Sequence, residues 1–103
     1  MDYKIVSTEQ AKQTYASLVG YLLNILNHET AVRNLIDRLR ASVANIQSNP
    51  YLYEQCRSPR LRSLGYRRAV NGRYIIVYRV AEEDHTVYIS GFFHGHQNYE
   101  SNI

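Results

Sequence analysis

The chain has 103 residues, with 12 basic and 9 acidic side chains, a formal net charge of +3 and one cysteine. That length holds one domain, residues 1–103, and leaves too little material for a second core of comparable size. The lone Cys56 excludes an internal disulfide, no apolar run is long enough to cross a bilayer and no basic-then-apolar leader follows Met1, so the expectation is a soluble, cytoplasmic protein.

In chain order, Tyr3-Lys4-Ile5-Val6 reads as a short strand with β-branched residues at its end. Ser7-Thr8-Glu9-Gln10 has capping-box spacing, with Ser7 as the expected N-cap. Apolar residues then recur at Ala11, Tyr15, Leu18, Val19, Leu22, Leu23 and Leu26, the three-and-four spacing of an amphipathic helix. Asn27 is placed to cap a second helix, whose stripe is Val32, Leu35, Ile36, Leu39, Val43 and Ile46. Ser48-Asn49-Pro50 ends it, because the residue before proline is pushed out of helical geometry. So short a connection predicts an antiparallel hairpin of two helices, each nearly 30 Å long at about 1.5 Å per residue.

Tyr51 to Leu64 shows no period and reads as a loop. Three strands follow: Tyr66–Val70, a turn at Asn71-Gly72, Tyr74–Val80, a charged turn at Glu82-Glu83-Asp84, and Thr86–His94. Short turns make these an antiparallel meander, and the order predicts an α+β layer with both helices on one sheet face. Period-two alternation places Ile75, Val77 and Arg79 together. It also aligns Tyr88, Ser90, Phe92 and His94 against a core face of Val87, Ile89 and Phe93.

Charge is unevenly spread. Arg57, Arg60, Arg62, Arg67, Arg68, Arg73 and Arg79 fall in one window without an acidic residue, and the five basic and nine acidic side chains elsewhere sum to −4. Such a field attracts phosphate backbones or an acidic protein, and the planar guanidinium suits bidentate recognition of either. A solvated, arginine-rich strand edge is the plainer reading. His94 and His96 are candidates for acid–base work because imidazole titrates near neutrality. No metal site is expected, since the other ligands available, His28, His85 and Cys56, are distant in sequence. Tyr66, Tyr74, Tyr78, Tyr88 and Tyr99 lie among the arginines and could stack on bases, although Tyr74 and Tyr78 share a face with Ile76 and Val80 and read better as core.

The segment Gly65-Tyr-Arg-Arg-Ala-Val-Asn-Gly-Arg-Tyr-Ile-Ile-Val-Tyr-Arg-Val80, with Val87-Tyr-Ile and Phe93-His-Gly-His-Gln-Asn-Tyr99, resembles the C-terminal half of the RelE/ParE toxins. The helix hairpin and Asn49-Pro50-Tyr51 extend the likeness over nearly the whole chain. The resemblance implies a bacterial toxin held in check by a small antitoxin with an acidic, partly disordered tail, and no cofactor. It also implies a choice of target, since RelE-like members cut mRNA on the ribosome and ParE-like members poison DNA gyrase. Ile75 stands where the cleaving branch carries an arginine, and isoleucine cannot stabilise phosphate charge. The long hairpin likewise favours the ParE-like branch. In the other direction, the family's closing His-Gly-Arg is here His94-Gly95-His96. The resemblance thus makes His96, His94 and Arg79 the catalytic candidates if the chain is a nuclease. Arg67, Arg68, Arg73, Arg79 and Tyr99 are the residues expected to meet target or antitoxin.

Overall fold

The computed structural model describes residues 2–95 and 99–103. The elements are β1 (Lys4–Ser7), α1 (Glu9–Leu26), α2 (Glu29–Ser48), α3 (Pro59–Ser63), β2 (Tyr66–Asn71), β3 (Tyr74–Ala81) and β4 (Thr86–His94). The four strands form one sheet in the order β1-β4-β3-β2. The meander β2-β3-β4 is antiparallel as expected, whereas β1 lies beside β4 and runs parallel to it, so the sheet is mixed. This pairing joins the first strand to the last, a long-range arrangement that no local pattern announces.

The helix ends differ by one residue from the expected caps. Ser7 is the last residue of β1, paired with Ile89, and Thr8 is the N-cap of α1. The Thr8 hydroxyl accepts the Ala11 N–H and donates to the Ile89 carbonyl, both at 3.1 Å, so one side chain starts the helix and fastens it to β4. Asn27 takes a left-handed conformation (φ 45°) and closes α1, and His28 caps α2 by accepting the Ala31 N–H at Nδ1. The segment expected to be loop contains α3, with Pro59 in its first turn. Asn71 belongs to β2, and the tight loop is Gly72-Arg73, with φ +62° at the glycine. The Asn71 amide donates to Ser42 Oγ at 2.9 Å, tying the β2 end to α2.

Both long helices cover one face. Ala11, Leu18 and Leu22 of α1 and Val32, Leu35, Leu39 and Ile46 of α2 bury against Ala69, Ile76, Tyr78, Val87 and Ile89. The Tyr78 hydroxyl, deep in this core, donates to the Pro50 carbonyl at 2.5 Å. The other face carries a second, smaller core, in which Ile75, Val77 and Phe93 of the sheet meet Cys56, Leu61 and Tyr99 from the approach to α3, α3 itself and the C-terminal turn.

One irregularity sorts β4 between these cores. Tyr78 pairs with Ile89 but Val77 pairs with Gly91, so Ser90 is an extra residue and the alternation changes phase there. Val87, Ile89 and Phe92 therefore face the helices, while Phe93 is buried in the opposite core. The expected grouping of Phe93 with Val87 and Ile89, and of Tyr88 with Phe92 and His94, is corrected by this single bulge. Beyond the end of β1, the Phe92 N–H donates to the Thr14 hydroxyl at 3.0 Å, so β4 stays satisfied on the side where β1 no longer pairs with it.

Candidate functional site

Strand geometry divides the arginine block. Arg67 and Arg68 are neighbours on β2, and their side chains leave opposite faces of the sheet. The Arg67 guanidinium donates to the Tyr53 carbonyl at 2.8 Å and lies over the Tyr51 ring, 4.9 Å from its centroid. Arg68, with only 13% of its side chain exposed, grips Glu54 through two nitrogens at 2.6 and 2.8 Å. It also shares a hydrogen bond with the Tyr99 side chain. The Arg68 guanidinium, bonded to Glu54, holds that carboxyl below the usual carboxylate range. Both guanidiniums are thus engaged within the molecule and brace the approach to α3 (residues 51–56). Tyr99, expected on the binding surface, is 7% exposed and packs on Phe93 with ring centroids 5.8 Å apart.

Arg73 is exposed in the β2–β3 loop, remote from Arg79 near the far end of β3. Pairing sets Tyr66 beside Arg79 and Arg79 beside Tyr88, and the parallel strand adds Val6 next to Tyr88. The Arg79 guanidinium sits over the Tyr88 ring, 5.3 Å from its centroid. Tyr66, Arg79, Tyr88 and Val6 form a row across all four strands, each side chain half-buried, on the face opposite the long helices. A flat cation between two phenol rings can stack on a base or aromatic side chain and pair with a phosphate or carboxylate. The exposed Arg57, Arg60 and Arg62 add positive charge around α3, tempered by Glu54 4.0 Å from Arg57 and by Gln55, which accepts from Arg62 at 2.9 Å.

Of the two histidine candidates, His94 does not join this row. His94 pairs with Tyr74 and meets its ring edge-on on the helix face, at the opposite end of β3 from Arg79. Five residues of extended strand separate the two positions, about 17 Å at roughly 3.3 Å per residue. His96 lies outside the described residues. Among the described residues no group of three or more His, Cys, Asp or Glu side chains is clustered as a metal site. No helix among them is long and apolar enough to cross a membrane.

Two features escaped the sequence. The row depends on the pairing register of three strands, which alternation within one strand does not supply. The other is a cleft of about 410 Å³ at the base of the helix hairpin, lined by Ser7, Lys12, Tyr15, Leu39, Arg40, Val43 and Phe92. Its lining comes from β1, both helices and β4, so only the folded chain assembles it.

A mixed four-stranded sheet, with a helix hairpin on one face and a cationic, aromatic row on the other, defines a small single-sheet α+β protein. Within that class the family is shown: the ParE toxin of the type II toxin–antitoxin system parDE matches residues 5–99, and the chain belongs to that family. Eight chains of solved structures are also similar. One is in the crystal structure of the RelBE2 toxin–antitoxin complex from Mycobacterium tuberculosis, with a TM-score of 0.62 and 18% identity, covering 91% of this chain and 92% of that one. At that identity the likeness concerns the fold. No curated protein sequence matches the chain.

Proposed function

We propose that this protein is the toxin of a type II toxin–antitoxin pair, that it inhibits DNA gyrase, and that an antitoxin with an acidic tail neutralises it. The observation carrying the reading is the family match over residues 5–99, which spans both helices and all but the first residue of the sheet. The placing of three candidates supports the gyrase branch: Ile75 is 7% exposed within the second core, and His94 and Arg79 are on opposite faces. Cleaving RNA needs a base, an acid and a cation within reach of one phosphate.

Ribosome-dependent mRNA cleavage is the second reading, favoured by the Tyr66–Arg79–Tyr88 row, which has the chemistry to hold a stacked nucleotide. Purified protein is assayed in parallel for inhibition of gyrase supercoiling and for mRNA cleavage in cell-free translation. The expected result is stalled gyrase–DNA complexes with intact mRNA, and a DNA-damage response when expression is induced in a bacterial host. Intact gyrase activity with cut mRNA replaces the first reading by the second. Harmless induction with neither effect removes both. In the gyrase assay, Arg79→Glu is expected to cut potency at least about tenfold, because it turns an attractive charge on the row into a repulsive one.

A further inference from the structure

The arginine window holds three side chains that neither the aromatic row nor the braces around residues 51–56 use: Arg57, Arg60 and Arg62, at and beside α3. The helix lies on the sheet face opposite the hairpin, fastened by Leu61, which is fully buried in the second core with Ile75, Val77 and Phe93. With that leucine turned inward, what α3 presents outward is mainly charge. Gly65 follows with φ +85°, and a Cβ built there would lie 4.0 Å from Arg79 Cγ, so Arg79 borders the same ridge.

The acceptors that orient these guanidiniums are neutral or already shared. Arg60 donates to the Glu100 backbone carbonyl, and Arg62 to the Gln55 amide oxygen at 2.9 Å. Arg57 comes only to 4.0 Å from Glu54, whose carboxylate is held by Arg68 at 2.6 Å. Ion pairs among the described residues engage Lys12, Arg33, Arg57 and Arg68, but neither Arg60 nor Arg62. A guanidinium has five N–H donors, so one neutral contact aims each side chain and leaves its charge for an incoming anion.

Among polyanions, duplex DNA suits this ridge best. It carries one charge per ~1.7 Å of helix axis, so several guanidiniums meet phosphates at once. A single strand binds through open aromatic faces. On this side of the sheet Tyr88 lies under the Arg79 guanidinium, and Tyr99 is buried against Phe93. An acidic protein segment gains its hold from a central apolar anchor, whereas the leucine of α3 faces the core.

We propose that Arg57, Arg60 and Arg62 form a phosphate-binding ridge by which the protein holds duplex DNA without reading its sequence. This deepens the gyrase reading, and rests on it only in taking the duplex to be the one that the enzyme grips. Contacts of this kind position the protein and carry no base specificity.

The test follows fluorescence polarisation of a short labelled duplex of arbitrary sequence with the full-length protein, at salt from about 50 to 200 mM. Three phosphate contacts predict that log affinity falls against log salt with a slope of about −2.7. Arg60→Ala and Arg62→Ala are each expected to make that slope shallower by about 0.9, and the double variant by about 1.8, with unchanged circular dichroism spectra. Arg60→Lys combined with Arg62→Lys is expected to keep the parent slope, because charge makes the contact. No duplex binding at the lowest salt, an unchanged slope in the alanine variants, or a lysine variant as weak as the alanine one overturns the proposal. So does tighter binding to the single strand, to RNA of the same sequence, or to polyglutamate of equal charge. Naked DNA keeps the two readings apart: if the toxin reading fails, induction is harmless while the duplex still binds. If the ridge proposal fails, gyrase is still inhibited and the duplex is not bound.

Discussion

Glu82 links three parts of the molecule through one carboxylate. It accepts a hydrogen bond from Tyr3 at 2.5 Å and another from Tyr51, and the Tyr3 ring stacks on His85 with centroids 3.9 Å apart. The N-terminal segment, the approach to α3 and the β3–β4 turn therefore meet at this group. The two phenols hold the Glu82 carboxyl below the usual carboxylate range, and Glu82 in turn pushes Tyr3 up to about 12. A lowered carboxyl contributes stability that is present above its unfolded value and lost as pH falls through the folded one. A raised phenol contributes stability that is present below about 10 and lost as pH rises towards about 12. Glu82→Gln is therefore expected to flatten both the acid and the alkaline limbs of the unfolding free energy against pH, measured by urea titration. Identical limbs in variant and parent would show that this cluster plays no part in stability. Such a contact is visible only in the fold, because residues 3, 51 and 82 have no local pattern in common.

At the scale of elements, the most consequential residue is the extra one in β4. Ser90 shifts the phase of the strand, so Phe92 and Phe93 enter separate cores, and Gly91 sits where the strand resumes its pairing. A Cβ added to Gly91 would lie 2.4 Å from Phe93 Cε2, and Phe93 is 2% exposed, with little room to move. Gly91→Ala is expected to cost about 1–3 kcal/mol through overpacking, read from the denaturation midpoint. A neutral substitution would mean that the second core is loosely packed. Most other element-level features were legible in the sequence. Three-and-four spacing marks both helices, Pro50 sets the end of α2, and β-branched and aromatic runs mark β2 to β4. Adjacent arginines also carried a usable signal, since period-two alternation already separates Arg67 from Arg68. The bulge was not legible, because one inserted residue leaves the composition of β4 unchanged. Nor was α3, a single turn held by burial of Leu61 rather than by any periodic stripe.

Over the whole molecule, the sheet is a partition between two cores of unequal size. The larger lies beneath the helix hairpin, and the smaller is sealed by Cys56, Leu61 and Tyr99. Burial pushes the Cys56 thiol up to about 11, which keeps it protonated and unreactive at neutral pH. Tyr99→Ala would open this smaller core and remove a hydrogen-bonding partner of Arg68, at a cost of roughly 3 kcal/mol. The same change is expected to expose Cys56 to alkylation under native conditions. An unreactive thiol in that variant would indicate that α3 alone seals the core. The fold class and family resemblance could be read from the chain, but the cationic row and the cleft could not, because they arise from the register of β2, β3 and β4 and the convergence of α1, α2 and β4.

The parallel pairing of β1 with β4 carries a consequence for biogenesis. Lys4 to Ser7 find their partners only at Thr86 to Ile89, so the earliest strand to leave the ribosome waits for the latest. At common elongation rates that wait is on the order of ten seconds, during which α1 and α2 can form but the sheet cannot close. A polypeptide released before β4 is made lacks the strand that β1 and β3 both pair with, and cannot assemble either face. A cell translating this message therefore meets the finished surfaces only after β4 has emerged.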